Sequence, residues 1–260
     1  MTYTRDELNL ITLASFDELT YKSKFRLLSG FESSMPDFTK YEEELIKTVP
    51  CGVYNKVRSK YFSPEYRVHV LKELERRDIT CVTYFSENYP GLLKEIPLPP
   101  IVLYCKGNTQ LLKTRCFSVV GSRRTTAAAV AECKKICAEL TQYFTVVTGT
   151  ADGADSAAVY GALPSGKLIA VLAYGFDYCY PVMQESLLHK IEENGLLVSE
   201  FTPKTPPMQY LFPVRNRVIA GMSEGTLVVS AAKRSGALIT ADYALEYGRT
   251  AFAFPYSIGS

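Results

Sequence analysis

The sequence predicts an α/β fold built on a doubly wound, mainly parallel sheet, and three observations carry that prediction. Six short apolar runs, near 116–120, 144–148, 168–172, 196–199, 226–230 and 251–254, alternate with helical stretches. Glycine-bearing segments follow three of those runs, at Gly121, at Gly149 to Gly153 and at Gly175. The 260 residues are 47% apolar, enough for one sizeable core and a small second domain.

Residues 1–77 read as a separate helical module. Asp6 to Phe16, Tyr21 to Leu28, Ser33 to Val49 and Pro64 to Arg77 carry apolar residues at helical spacing. From Ile79 the pattern turns to strands: ITCVTYF, then IVLYC after a segment whose prolines, Pro90, Pro97, Pro99 and Pro100, forbid a long helix. Residues 78–260 thus form the main domain. Right-handed crossovers between its parallel strands gather the strand-exit loops on one edge, so the Gly121, Gly149 to Gly153 and Gly175 loops converge on one groove.

Two stretches give that groove a chemistry. In VVGSRRTT a strand ends at Gly121-Ser122-Arg123-Arg124 before an alanine-rich helix, which places a small residue for close backbone approach beside two guanidiniums. In FPVRNR, Arg215, Asn216 and Arg217 follow Pro213, where a proline can open a helix whose first N–H groups stay free for phosphate oxygens. Neither GxGxxG nor a lysine-bearing Walker loop is present, which weakens the dinucleotide and P-loop readings. The net charge of +2 decides nothing, because clustering governs affinity for nucleic acid. Arg123, Arg124, Arg215, Arg217, Lys233 and Arg234 all fall near predicted strand ends or helix starts.

Catalysis finds little support. His69 and His189 lie in helical stretches, Ser122 has no His/Asp arrangement beside it, and Asp152, Asp155 and Asp177 sit in loops where capping is the commoner task. Glu200, in SEF at a strand end, points toward the groove, either to order the arginines or to bind a base. The seven cysteines contain no CxxC pair and only two histidines accompany them, so neither a metal nor another cofactor is expected and the thiols read as reduced and buried. No apolar run is long enough to span a bilayer, and the N-terminus lacks a signal-peptide pattern, so a cytoplasmic protein is expected.

Over most of its length the chain resembles the DNA-processing protein A family (DprA, also called Smf). The resemblance runs in order through YPGLLKEIPLPPIVLYCKGN, VVGSRRTT, TGTADGADSAAVYGAL, LIAVLAYGFDYCYP, GLLVSEF, FPVRNRVIAGMS and SGALITADYALEYGR. It implies an extended Rossmann-like domain preceded by a SAM-like helical one, the latter matched at Leu27-Leu28-Ser29-Gly30-Phe31. It further implies a homodimer that binds single-stranded DNA in natural transformation or recombination, protects it and helps load the RecA recombinase, without being an enzyme. The DNA contacts implied are Gly121, Ser122, Arg123, Arg124, Phe212, Arg215, Asn216, Arg217, Ser235 and Gly236, supported by Gly149, Gly153, Asp155, Gly175 and Glu200. Arg215 is expected to meet phosphate directly and Arg217 to brace Glu200 or Asp155, while Phe212 or Tyr180 offers a face for a base. The rival reading is a nucleotide-binding enzyme or sensor related to nucleoside-monophosphate phosphoribohydrolases, with Glu200 as its carboxylate, although the PGGxGTxxE motif of those hydrolases is absent.

The chain also departs from the family pattern. Asp152 stands in place of an arginine, Ala154 of an isoleucine, Val159 of a histidine, Gln184 of an asparagine, Ser230 of a glutamate and Tyr256 of a glycine. The resemblance therefore implies a divergent or C-terminally shortened member.

Overall fold

The computed structural model describes residues 3–28, 32–38, 51–232 and 235–255. The chain divides into two compact units, residues 1–87 with 100–104, and residues 88–99 with 105–260.

The first unit is mostly helical: α1 (Arg5–Ala14), α2 (Tyr21–Leu27), α3 (Cys51–Tyr61) and α4 (Pro64–Arg76). Its helix starts are written in the sequence. Thr4 and Glu7 form a reciprocal capping box, Thr20 caps α2, and Ser63 caps α4 ahead of Pro64. Leu10, Leu13, Phe16, Leu27, Tyr54 and Tyr61 are buried. The strand β1 (Thr80–Thr83) closes the unit beside residues 101–104, with Tyr84 N–H donating to the Ile101 carbonyl at 3.0 Å.

Two helical expectations change here. Residues 32–38 make turns and bends where a helix from Ser33 was expected, and Pro36 accounts for it by disfavouring αR at Met35. The remainder of that expected helix, and the Ser29-Gly30-Phe31 part of the Leu27 to Phe31 turn, lie outside the described residues. Helix α3 was not anticipated, because CGVYNKVRSKY mixes glycine, asparagine and β-branched residues of modest helix propensity.

The second unit is a parallel α/β sheet. After a short helix, α5 (Gly91–Lys94), and the strand β2 (Val102–Gly107), of which only residues 105–107 belong to this unit, the chain runs β3 (Cys116–Val120), α6 (Ala127–Leu140), β4 (Thr145–Thr148), α7 (Ala154–Ala162) and β5 (Leu168–Leu172). It continues through α8 (Glu185–Asn194), β6 (Leu196–Ser199), α9 (Leu211–Gly221), β7 (Gly225–Val228), α10 (Gly236–Glu246) and β8 (Thr250–Ala253). All six strands expected from the apolar runs are present. Their order is β6-β5-β4-β3-β7-β8, parallel at every step, with the end of β2 beside β6.

That order places the reversal of winding between β3 and β7. From β3 the chain moves outward through β4, β5 and β6, whereas from β7 it moves the other way to β8. Right-handed crossovers put the two sets of helices on opposite faces, and the loops leaving β3 and β7 part to open a crevice at the carboxyl ends.

The helices pack closely where small residues meet. Cys133 and Cys137 of α6 are fully buried against Ala157, Ala158 and Gly161 of α7. A Cβ on Gly161 would overlap the Lys134 carbonyl and stand 2.8 Å from Cys137 Cβ, so the backbones approach only because the side chain is a hydrogen. Among the described cysteines all are free thiols, and only Cys179 is not fully buried. Gly161→Ala is expected to destabilise the chain by about 1–3 kcal/mol through overpacking, measured as a lower urea midpoint at unchanged slope.

Candidate nucleic-acid interface

The crevice at the winding reversal is a cleft of about 350 Å³. One wall is the loop leaving β3, Gly121-Ser122-Arg123-Arg124; the other is the start of α10, Ser235 and Gly236; Phe212, Arg215 and Asn216 of α9 and Asp155 of α7 complete it. Most of the residues expected from sequence to touch DNA are thus brought together.

Hydrogen bonds hold the β3 loop. Ser122 N–H donates to Ser230 O at 2.8 Å, Arg124 N–H donates to Ser122 Oγ at 3.1 Å, and Ala154 N–H donates to Ser122 O at 3.2 Å. Gly153 has φ +78°, and a Cβ there would collide with the carbonyl oxygens of Ser122 and Arg123, so glycine is required for both conformation and space. Arg123 and Arg124 leave this anchored loop exposed. The Arg123 guanidinium lies over the Phe212 ring at 5.4 Å from its centroid, and Tyr180 meets the same ring edge-on at 5.7 Å.

Arg215 is only 4% exposed although it borders the cleft. It donates to the Val171 carbonyl at the end of β5, and through Nε to Asn216 Oδ1 at 3.1 Å. Asn216 in turn donates to Gly236 O at 3.0 Å, joining α9 to the first residue of α10. Gly149 lies where a Cβ would overlap both Asp155 Oδ2 and the Arg215 guanidinium, so its bare backbone admits the two charges side by side. Asp155 Oδ2 accepts the Ala151 N–H at 3.3 Å. Burial pushes the Asp155 carboxyl up to about 6, against the pull of Arg215, the Ala151 N–H, Arg123 and the Gly121 N–H. Burial likewise lowers the Arg215 guanidinium, opposed by Asp155.

Three expectations about placement are corrected. Arg215, Asn216 and Arg217 do not straddle a loop-to-helix junction: α9 already starts at Leu211, with Pro213 in its first turn, where a missing N–H costs nothing. Two positions apart on a regular helix, the arginines diverge. Arg217 is 3% exposed, lies outside the cleft, donates to the Leu98 carbonyl at 2.5 Å and forms a buried ion pair with Glu200. Glu200 is consequently turned away from the cleft. Gly175 also lies outside it, packed against the carbonyls of Thr202 and Pro203.

The start of α10 has an unsatisfied group. Ser235 occupies the N-cap without a side-chain cap bond, and its buried Oγ has no hydrogen-bond partner. Thr240, one turn on, lines the same wall; the i, i+4 spacing from Gly236 is the signal that would have found it. Lys233 and Arg234 lie outside the described residues. Among the described residues no group of three His, Cys, Asp or Glu side chains is placed to hold a metal ion, and no helix is long and apolar enough to cross a membrane.

Two measurements check this geometry. Arg217→Ala is expected to cost about 3–5 kcal/mol of stability in urea titration, because it strands the Glu200 carboxylate in the interior. For Asp155 the folded form binds its proton more tightly than the unfolded form. Its contribution is therefore present below about pH 4 and is lost as pH rises to about 6. Wild type measured against Asp155→Asn is expected to lose about 3 kcal/mol across that window, with no further change above it.

The family model described as DNA recombination-mediator protein A matches residues 80–260. The chain is 39% identical over 191 residues to the DNA processing protein DprA of Streptococcus pneumoniae, covering 73% of this chain and 67% of that protein. It is 38% identical over 192 residues to DprA of Bacillus subtilis, covering 73% and 65%, and 41% identical over 190 residues to the protein Smf of Escherichia coli, covering 72% and 51%. The chain thus spans about half to two thirds of these relatives. The X-ray structure of DprA from S. pneumoniae superposes with a TM-score of 0.81 at 32% identity, over 100% of this chain and 89% of that one. DNA processing protein A from Helicobacter pylori, solved for its single-stranded DNA binding mode, superposes with a TM-score of 0.65 at 29% identity, over 71% and 85%. With a family match over most of the chain and the same fold in two solved members, this chain belongs to the DNA recombination-mediator protein A family.

Proposed function

We propose that the chain binds single-stranded DNA in the cleft between β3 and α10. The observation that carries this reading is the pair of exposed guanidiniums, Arg123 and Arg124, on a hydrogen-bonded loop facing the α10 N-terminus. Free N–H groups at that terminus, the unpartnered Ser235 hydroxyl and the two arginines suit phosphate oxygens. The half-buried Phe212 ring beneath Arg123 and the exposed Tyr180 ring beside it offer aromatic surface that an unpaired strand can reach and a duplex cannot. The single-stranded DNA binding of the H. pylori protein supports the same reading.

Buried Arg215 acts chiefly by shaping the cleft and adding positive potential, while Arg217 positions α9 through Glu200. The finer role rests on family membership: a cytoplasmic homodimer that shields single strands in transformation or recombination and helps load RecA, its helical first unit being a SAM-like accessory. The work is binding rather than catalysis. The hydrolase reading cast Glu200 as the carboxylate presented to a ribose, and Glu200 is paired with Arg217 outside the cleft.

Fluorescence anisotropy with single-stranded and duplex oligonucleotides tests the proposal. Tighter binding of the single strand is expected, with affinity falling steeply as salt rises. Arg123→Ala is expected to weaken binding by about 1–3 kcal/mol and to reduce the salt slope by about one phosphate contact, with no change in urea midpoint. Equal affinity for both forms, or release of free base from a nucleoside monophosphate, would overturn the reading.

A further inference from the structure

Beside the main cleft a smaller hollow of about 100 Å³ is lined by Arg123, Thr150, Asp152, Tyr180, Pro181 and Phe212. It combines two aromatic rings with one carboxylate. Arg123 covers one face of Phe212, whereas Tyr180, set at 65° to that ring, is 41% exposed and supplies the accessible aromatic wall. Asp152 is exposed, yet its position is set: Gln184, 8% exposed, donates from Nε2 to Asp152 Oδ1 at 2.8 Å and to Ser156 Oγ at 3.1 Å. The amide orientation follows from chemistry, since turning it would set the amide oxygen against the carboxylate. An acid beside Arg123 in a basic region is an odd choice for holding phosphate, and its rigid mounting by a buried glutamine calls for a different task.

We propose that Asp152, held by Gln184, reads the edge of one base in this hollow and selects guanine. The proposal rests on the single-stranded DNA reading above and names the base taken at that site. A carboxylate is an acceptor on both oxygens, so it matches a base edge that presents two adjacent donors. Guanine alone does so, with N1–H beside the N2 amino group. Adenine and cytosine set an amino donor beside a ring-nitrogen acceptor, and thymine sets one N–H between two carbonyls; each brings an acceptor against the second carboxylate oxygen. The Watson–Crick edge used is free only in an unpaired strand, which fits the same preference for single strands. Phosphate held by Arg123 and Arg124 leaves most positions of the strand unread, and one guanine fixes the register.

The test uses the full chain and oligothymidylates carrying one central substitution, read by fluorescence anisotropy at fixed salt. A single guanine is expected to tighten binding about tenfold over thymine, and inosine, which lacks only the N2 amino group, is expected to lose most of that gain. In Asp152→Asn the ratio of inosine to guanine dissociation constants is expected to fall from about ten to about one. Gln184→Leu, which frees the carboxylate without removing it, is expected to lower the ratio partway. Equal binding of guanine, inosine and thymine strands by wild type, or an undiminished ratio in Asp152→Asn, would overturn the assignment while leaving salt-dependent strand binding intact. If none of the strands binds even at low salt, the single-strand reading falls and the guanine site falls with it.

Discussion

A buried guanidinium must be paid for by neighbours, and the neighbours of Arg215 are the parts that define the cleft. Its donors reach the carbonyl at the end of β5 and the amide of Asn216, whose own amide holds the first residue of α10. Asp155 stands close by across Gly149, drawn there by backbone N–H groups of the β3 and β4 exits. One interior charge therefore ties together strand ends, α7, α9 and α10. Removing water from that charge is unfavourable, and the hydrogen bonds and the carboxylate that offset the cost also fix the loops in register.

The arginines divide into two kinds by burial, and the division follows from helix geometry. Arg215 and Arg217 lie inside α9 and are fastened to protein oxygens, one toward the cleft and one toward Leu98 and Glu200. Arg123 and Arg124 lie on a loop whose backbone is already fastened through Ser122, so their side chains stay exposed. A buried guanidinium fastened to protein oxygens contributes field and shape, whereas one in solvent can exchange water for phosphate. Under the proposed function, the exposed pair accordingly carries the binding chemistry and the buried pair its geometry.

Asp152 shows how a substitution that looks like a loss can be part of a different arrangement. Read against the family pattern, an aspartate in place of an arginine removes a cation from the groove. In the fold it is paired with another departure, Gln184, and the two share a hydrogen bond. Whether a charge lost is a function lost depends on what stands across from it, which spacing along the chain does not reveal.

The strand pattern was legible because it is local. Cys116–Val120, Leu168–Leu172 and Leu196–Ser199 are apolar runs bounded by turn residues, and strands buried on both faces need little more. The caps at Thr4, Thr20 and Ser63 are local for the same reason. From sequence by itself came the α/β class, the positions of the sheet strands, and the loops at Gly121 and Gly149 to Gly153 as the cleft's framework. What the tertiary structure decided was the direction of each polar side chain: that Arg217 and Glu200 form an ion pair in the interior, that Gly175 packs against Thr202, and that Gln184 reaches Asp152. Such choices turn on desolvation and on partners far away in the chain. A sequence motif records which charges are present, but only packing determines which of them remain in contact with water.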